Sequence, residues 1–120
     1  MSLGMHVSKK GRGSKSRKMD VAIAEDLKYM DSFGIASPSV QIFVTGPKTF
    51  RETLSDDEKA KILAYVRAHD TALVIHGAYV DRPWGSIAGA VANVKLELAI
   101  GAAIGATGII VHLSAGCADD

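Results

Sequence analysis

Ala72-Leu73-Val74-Ile75-His76 is an almost unbroken apolar run that ends on an imidazole and is followed by Gly77. A strand with one wet face alternates apolar and polar residues, whereas a strand covered on both faces reads as a continuous β-branched run. The stretch therefore predicts a buried parallel strand. Three further runs read the same way. The first is brief, at residues 3–8. Val40-Gln41-Ile42-Phe43-Val44 stops at the turn signal Gly46-Pro47, and Gly108-Ile109-Ile110-Val111-His112-Leu113 precedes Ser114-Ala115-Gly116.

Helical stretches separate these runs. Residues 19–33 place Ile23, Leu27 and Met30 on one face, and Gly34 follows as a stop. Ser55-Asp56-Asp57-Glu58 has the form of a capping box, opening a helix that runs to about His69 with Ile62, Leu63 and Val66 turned inward. Ser86 caps a third helix over residues 86–103, in which Ile87, Val91, Val94 and Leu98 recur at spacings of 4, 3 and 4. The order βαβαβαβ predicts an α/β fold with right-handed crossovers into a parallel sheet. Residues 1–120 form a single domain, and the polar stretch 9–18 is a loop within it.

Composition excludes several classes. The chain has 120 residues, 48% hydrophobic and 22% charged, with a net charge of +1, which fits neither an acidic disordered chain nor a wholly basic tail protein. The charge is uneven, however. Lys9, Lys10, Arg12, Lys15, Arg17 and Lys18 stand in a segment without acids, and residues 19–120 carry −5. A basic arm on an acidic body can meet phosphates locally. The one cysteine, Cys117, excludes an internal disulfide framework and fits a reducing compartment. No apolar run reaches the roughly 18 residues of a membrane helix, and the basic N-terminus lacks the apolar segment of a secretory signal. An intracellular location, cytoplasm or nucleus, without a membrane partner is expected.

In parallel α/β folds, chemistry gathers at the carboxyl ends of strands. His6, His76 and His112 all fall there, while His69 ends the second helix. Neutral imidazoles converging on one rim suit zinc. No GxGxxG follows the first strand and no GxxxxGK[ST] occurs, so nucleotide cradling has no support. Cys117 has no neighbouring base pattern and reads as inert. Glu97, mid-helix, reads as the partner of a neighbouring charge. Trp84 either stacks on DNA or covers the start of the third helix.

Four segments together carry a resemblance. Gly4-Met5-His6-Val7-Ser8, Gln41-Ile42-Phe43 with Gly46-Pro47-Lys48, Ile75-His76-Gly77-Ala78-Tyr79 and Val111-His112-Leu113 occur in this order. They resemble the endonuclease IV family of apurinic/apyrimidinic (AP) endonucleases, most closely the versions carried by large DNA viruses, which makes a viral source one expectation. The resemblance implies a zinc-dependent (βα)8 TIM barrel, of which this chain matches the N-terminal half. It implies His76 and His112 as zinc ligands, with His6 lining the site either as a catalytic neighbour or as a hydrogen-bonding residue of the barrel interior. Tyr79 matches the family's lesion-side tyrosine, and Lys48 matches an arginine of the loop after the second strand. Lys9, Lys10 and Arg12 are the expected phosphate contacts.

The function implied is zinc-assisted hydrolysis of the phosphodiester 5′ to an abasic site in DNA repair. The bridging glutamate and the later Asp and His ligands of the family have no counterpart here. The chain is therefore expected to be a fragment or poorly active alone, and to self-associate or pack on a C-terminal half. Two other readings stand beside this one. A non-catalytic DNA-binding or scaffold half-barrel would need no metal, and a xylose-isomerase-like barrel would act on free sugars.

Overall fold

The computed structural model describes residues 3–11, 15–36, 38–46, 51–78 and 87–111. The elements run β1 (Gly4–His6), α1 (Met19–Asp31), β2 (Ser39–Ile42), α2 (Asp56–His69), β3 (Leu73–His76), α3 (Ile87–Ile104) and β4 (Gly108–Ile110). The sheet order is β1-β2-β3-β4 and every pairing is parallel. The expected βαβαβαβ order is thus present.

Sequential order decides the shape. Each right-handed crossover returns to the next strand on the same side, so all three helices cover one face of the sheet. A doubly wound fold would reverse its order and place helices on both faces. Val40, Ile42, Leu73 and Ile75 point toward the helices and meet Ile23, Ile62, Val66, Ile100 and Ile104 in one buried cluster. Among the described residues, the opposite face carries no helix. There Gly4, His6, Ser39, Gln41, Val74 and Ile110 line a shallow cavity of about 350 Å³. This is the inner wall of an arc of barrel.

Helix ends follow local chemistry. Ser55 Oγ accepts from the Glu58 N–H at 3.1 Å, and Glu58 Oε1 accepts from the Ser55 N–H at 3.2 Å, so the expected capping box is formed. α2 ends at Asp70, which takes the left-handed conformation (φ 50°, ψ 44°). α1 stops at Asp31, two residues before the expected end, and Gly34 completes the turn with φ 76°. α3 corrects the sequence reading of its buried side. Val91 and Leu98 are exposed, while Glu97, Ile100 and Ile104 are buried. Apolar residues occur all around this helix, so their spacing does not mark its inner face. Ser86 lies outside the described residues.

Candidate active-site rim

Register brings the strand ends together. His6 pairs with Gln41, Gln41 with Val74, and His76 with Ile110, so β1 and β3 deliver their terminal imidazoles to the carboxyl rim. The ring centroids of His6 and His76 are 6.0 Å apart. Phe43, immediately after β2, stands between them, 5.2 Å from His6 and 4.3 Å from His76. Its ring supplies an apolar wall that restrains both imidazoles. No role was expected of Phe43. Its position at the carboxyl end of the second strand, between the ends of the first and third strands that carry imidazoles, was the signal that could have found it.

His6 is exposed and His76 is 9% exposed. His76 Nδ1 lies 2.9 Å from the Gly77 carbonyl oxygen. A carbonyl can only accept, so this contact puts the proton on Nδ1 and the lone pair on Nε2. A metal-ligating histidine ordinarily has this arrangement, with the second nitrogen anchored to a carbonyl or carboxylate. The donor chemistry of His76 therefore fits zinc. Among the described residues, no three His, Cys, Asp or Glu side chains converge as a metal site. His112, Lys48, Tyr79 and Arg12 lie outside the described residues, as do Trp84 and Cys117.

The loops on this rim are folded back on themselves. After β1, Lys10 bridges Ser16, and the Arg17 N–H donates to the Lys9 carbonyl at 2.8 Å. After β2, Thr45 bridges Glu52, and the Thr53 N–H donates to the Val44 carbonyl at 2.9 Å. Two cations of the basic loop have protein partners. Lys9 Nζ lies 3.2 Å from Glu58 Oε2 and also donates to the Thr53 carbonyl. Arg17 spans Glu25 at 2.9 Å and Asp26 at 2.8 Å. Among the described residues, Lys10, Lys15 and Lys18 enter no ion pair and leave their positive charge open to solvent.

Glu97 differs from its sequence reading. It is 1% exposed, and its Oε1 accepts from the Ala78 N–H at 3.0 Å and from Thr45 Oγ1 at 3.3 Å. Its partners are a backbone amide and a hydroxyl on two rim loops, not a neighbouring charge. Gly77 lies directly above it. A Cβ there would stand 2.5 Å from the Ile110 carbonyl oxygen, so only glycine lets β3 and β4 close at this rung.

A sequential parallel arc with imidazoles on its carboxyl rim is half of a (βα)8 barrel of endonuclease IV type. Two solved structures share it. Crystalline AsfvAP:AG superposes with a TM-score of 0.79 at 25% identity, over 94% of this chain and 39% of that one. Endonuclease IV from Thermus thermophilus superposes with a TM-score of 0.63 at 23% identity, over 93% and 40%. In sequence, the chain is 30% identical over 95 residues to the African swine fever virus protein named "Probable AP endonuclease" in the Pretoriuskop tick isolate, covering 78% of this chain and 32% of that protein. The Kenyan pig isolate's protein of the same name is 28% identical over the same length. The chain thus resembles part of the endonuclease IV-like AP endonucleases and spans about a third of the length of the curated relatives it matches. No family model matches the chain. Among the described residues, no helix is long and apolar enough to cross a membrane.

Proposed function

We propose that the chain is the metal-binding, DNA-facing first half of an AP endonuclease that hydrolyses the phosphodiester 5′ to an abasic site. The observation that carries this reading is the rim itself: His6, Phe43 and His76 sit together at the carboxyl ends of the first three strands of a barrel arc whose sequence relatives are named AP endonucleases. His76 and His112 would hold zinc. When bound, the metal supplies the Lewis acidity that activates water and stabilises charge on the phosphate. The chain's own residues do the rest. His76 keeps its proton on Nδ1, and Phe43 excludes water from one side of the imidazoles. Lys10 and its neighbours draw the phosphate backbone to the rim, and Lys48 and Tyr79 would meet the DNA beside the lesion.

Two histidines are too few for a closed zinc site, so the 120-residue chain alone should turn over little substrate. The test is a duplex carrying one synthetic abasic site. The expected result is a binding preference over intact duplex, with trace incision on the 5′ side that a chelator abolishes and His76→Ala removes. Equal affinity for both duplexes together with no zinc uptake would overturn the reading in favour of a metal-free scaffold.

A further inference from the structure

The peptide unit joining Gly77 to Ala78 is gripped at both ends. Its carbonyl oxygen lies 2.9 Å from His76 Nδ1, and its N–H donates to Glu97 Oε1 at 3.0 Å. A peptide is planar with its C=O and N–H held rigidly antiparallel, so neither bond can turn without turning the other. Glu97 reaches this plane from the middle of α3, and a carboxylate with 1% exposure costs stability unless its hydrogen bonds are made. Thr45 Oγ1, from the loop after β2, steadies the same oxygen at 3.3 Å. On the preceding peptide unit, the Gly77 N–H donates to the Ile110 carbonyl at 2.9 Å, which fixes the backbone between His76 and this plane against β4.

We propose that Glu97 is a positioning residue for His76, acting through the 77–78 peptide to set the orientation and tautomer of the imidazole. The proposal rests on the reading of His76 as a zinc ligand. A carboxylate accepting from the N–H polarises the amide and increases electron density on its carbonyl oxygen, since linked hydrogen bonds strengthen one another. The stronger acceptor holds the Nδ1 proton more firmly and leaves Nε2 a better donor to a cation. A buried negative charge thereby acts on the imidazole through the peptide between them. Glutamine at this position keeps an acceptor oxygen but transmits no charge. Leucine transmits neither.

The experiment uses the 120-residue chain labelled with ¹⁵N and read by long-range proton–nitrogen correlation at the imidazole, alongside zinc titration by calorimetry. Wild type is expected to show His76 as the Nδ1–H tautomer. Glu97→Leu is expected to mix the tautomers and weaken zinc binding by about 10- to 100-fold, the range seen when a ligand's supporting partner is lost. Glu97→Gln is expected to keep the tautomer, shift the Ala78 amide proton upfield and lose about 10-fold in affinity, the low end of that range. If Glu97→Leu fails to fold, Glu97→Gln decides: an unmoved Ala78 amide with unchanged zinc affinity overturns the proposal. A folded Glu97→Leu with the wild-type tautomer and affinity overturns it equally. Failure of wild type to bind zinc would instead overturn the zinc reading, and the tautomer of each variant would still judge the positioning role.

Discussion

Glu58 shows how a single carboxylate can join three parts of the fold. It is 5% exposed, yet its oxygens accept from the Met19 N–H at 2.8 Å, the Ser55 N–H at 3.2 Å and the Lys9 ammonium at 3.2 Å. Burial alone would raise its pKa, but the two amides and the ammonium outweigh burial and hold the carboxyl below its ordinary value of 4.5. A carboxyl whose pKa is depressed on folding contributes stability above its unfolded pKa, and that contribution is lost as pH falls through the folded value. Below about pH 4.5, the urea midpoint of wild type should therefore fall more steeply than that of Glu58→Gln. At pH 7 the substitution should cost about 2 kcal/mol, since hydrogen bonds to a charged group are lost from a buried site. Parallel urea titrations from pH 3 to 7 check both, and equal slopes would show that the network does not form. Lys9 was expected as a phosphate contact. Its commitment to Glu58 was not legible, because nothing in sequence signals a pairing across 49 residues.

At the scale of an element, α2 is the one the sequence describes best. Its capping box can be read from Ser55-Asp56-Asp57-Glu58 because both reciprocal bonds are local. Ser55→Ala should cost about 1 kcal/mol. At the other end, Asp70 holds φ 50°, a conformation that glycine adopts without the Cβ penalty, so Asp70→Gly should gain about 0.5 kcal/mol. Thermal unfolding of the two variants should move the midpoint in opposite directions, and a fall in both would refute the C-terminal argument. α3 was legible in extent but not in orientation. Its inward side is fixed by Glu97 bonding to Ala78 and Thr45, and a buried acid is the reverse of what a hydrophobic stripe announces.

The whole molecule is apolar where its series of units stops. Leu3, Val21, Tyr29 and Phe33 are exposed on or beside β1 and α1, and Val91, Leu98, Ile110 and Val111 are exposed on or beside α3 and β4. Among the described residues, β2, α2 and β3 expose no large hydrophobic side chain. Among the described residues, both outer strands also present backbone edges that no further strand pairs, which favours association. We propose that the two ends are covered by a neighbour, and that the isolated chain associates with itself. Light scattering after size exclusion should give a mass above 12.6 kDa, and Leu98→Lys with Ile110→Lys should lower it. A compact monomer at tens of micromolar would sink this. The arc could be foreseen because four short apolar runs at even spacing, three of them β-branched, point to a parallel sheet. The Glu97 contacts at the rim could not, because only the closed sheet creates them.

The even spacing also has a consequence in time. Gly4 pairs with Ser39, Val40 with Leu73 and Val74 with Gly108, so each strand meets a predecessor 33 to 35 residues back. Among the described residues, no strand pairing spans the chain, and every loop closure costs nearly the same entropy. Each strand's partner is synthesised before it, so the arc can be laid down in the order in which it is read. Synthesis at about 5 to 20 residues per second leaves seconds between successive strands, long compared with the closure of such a loop.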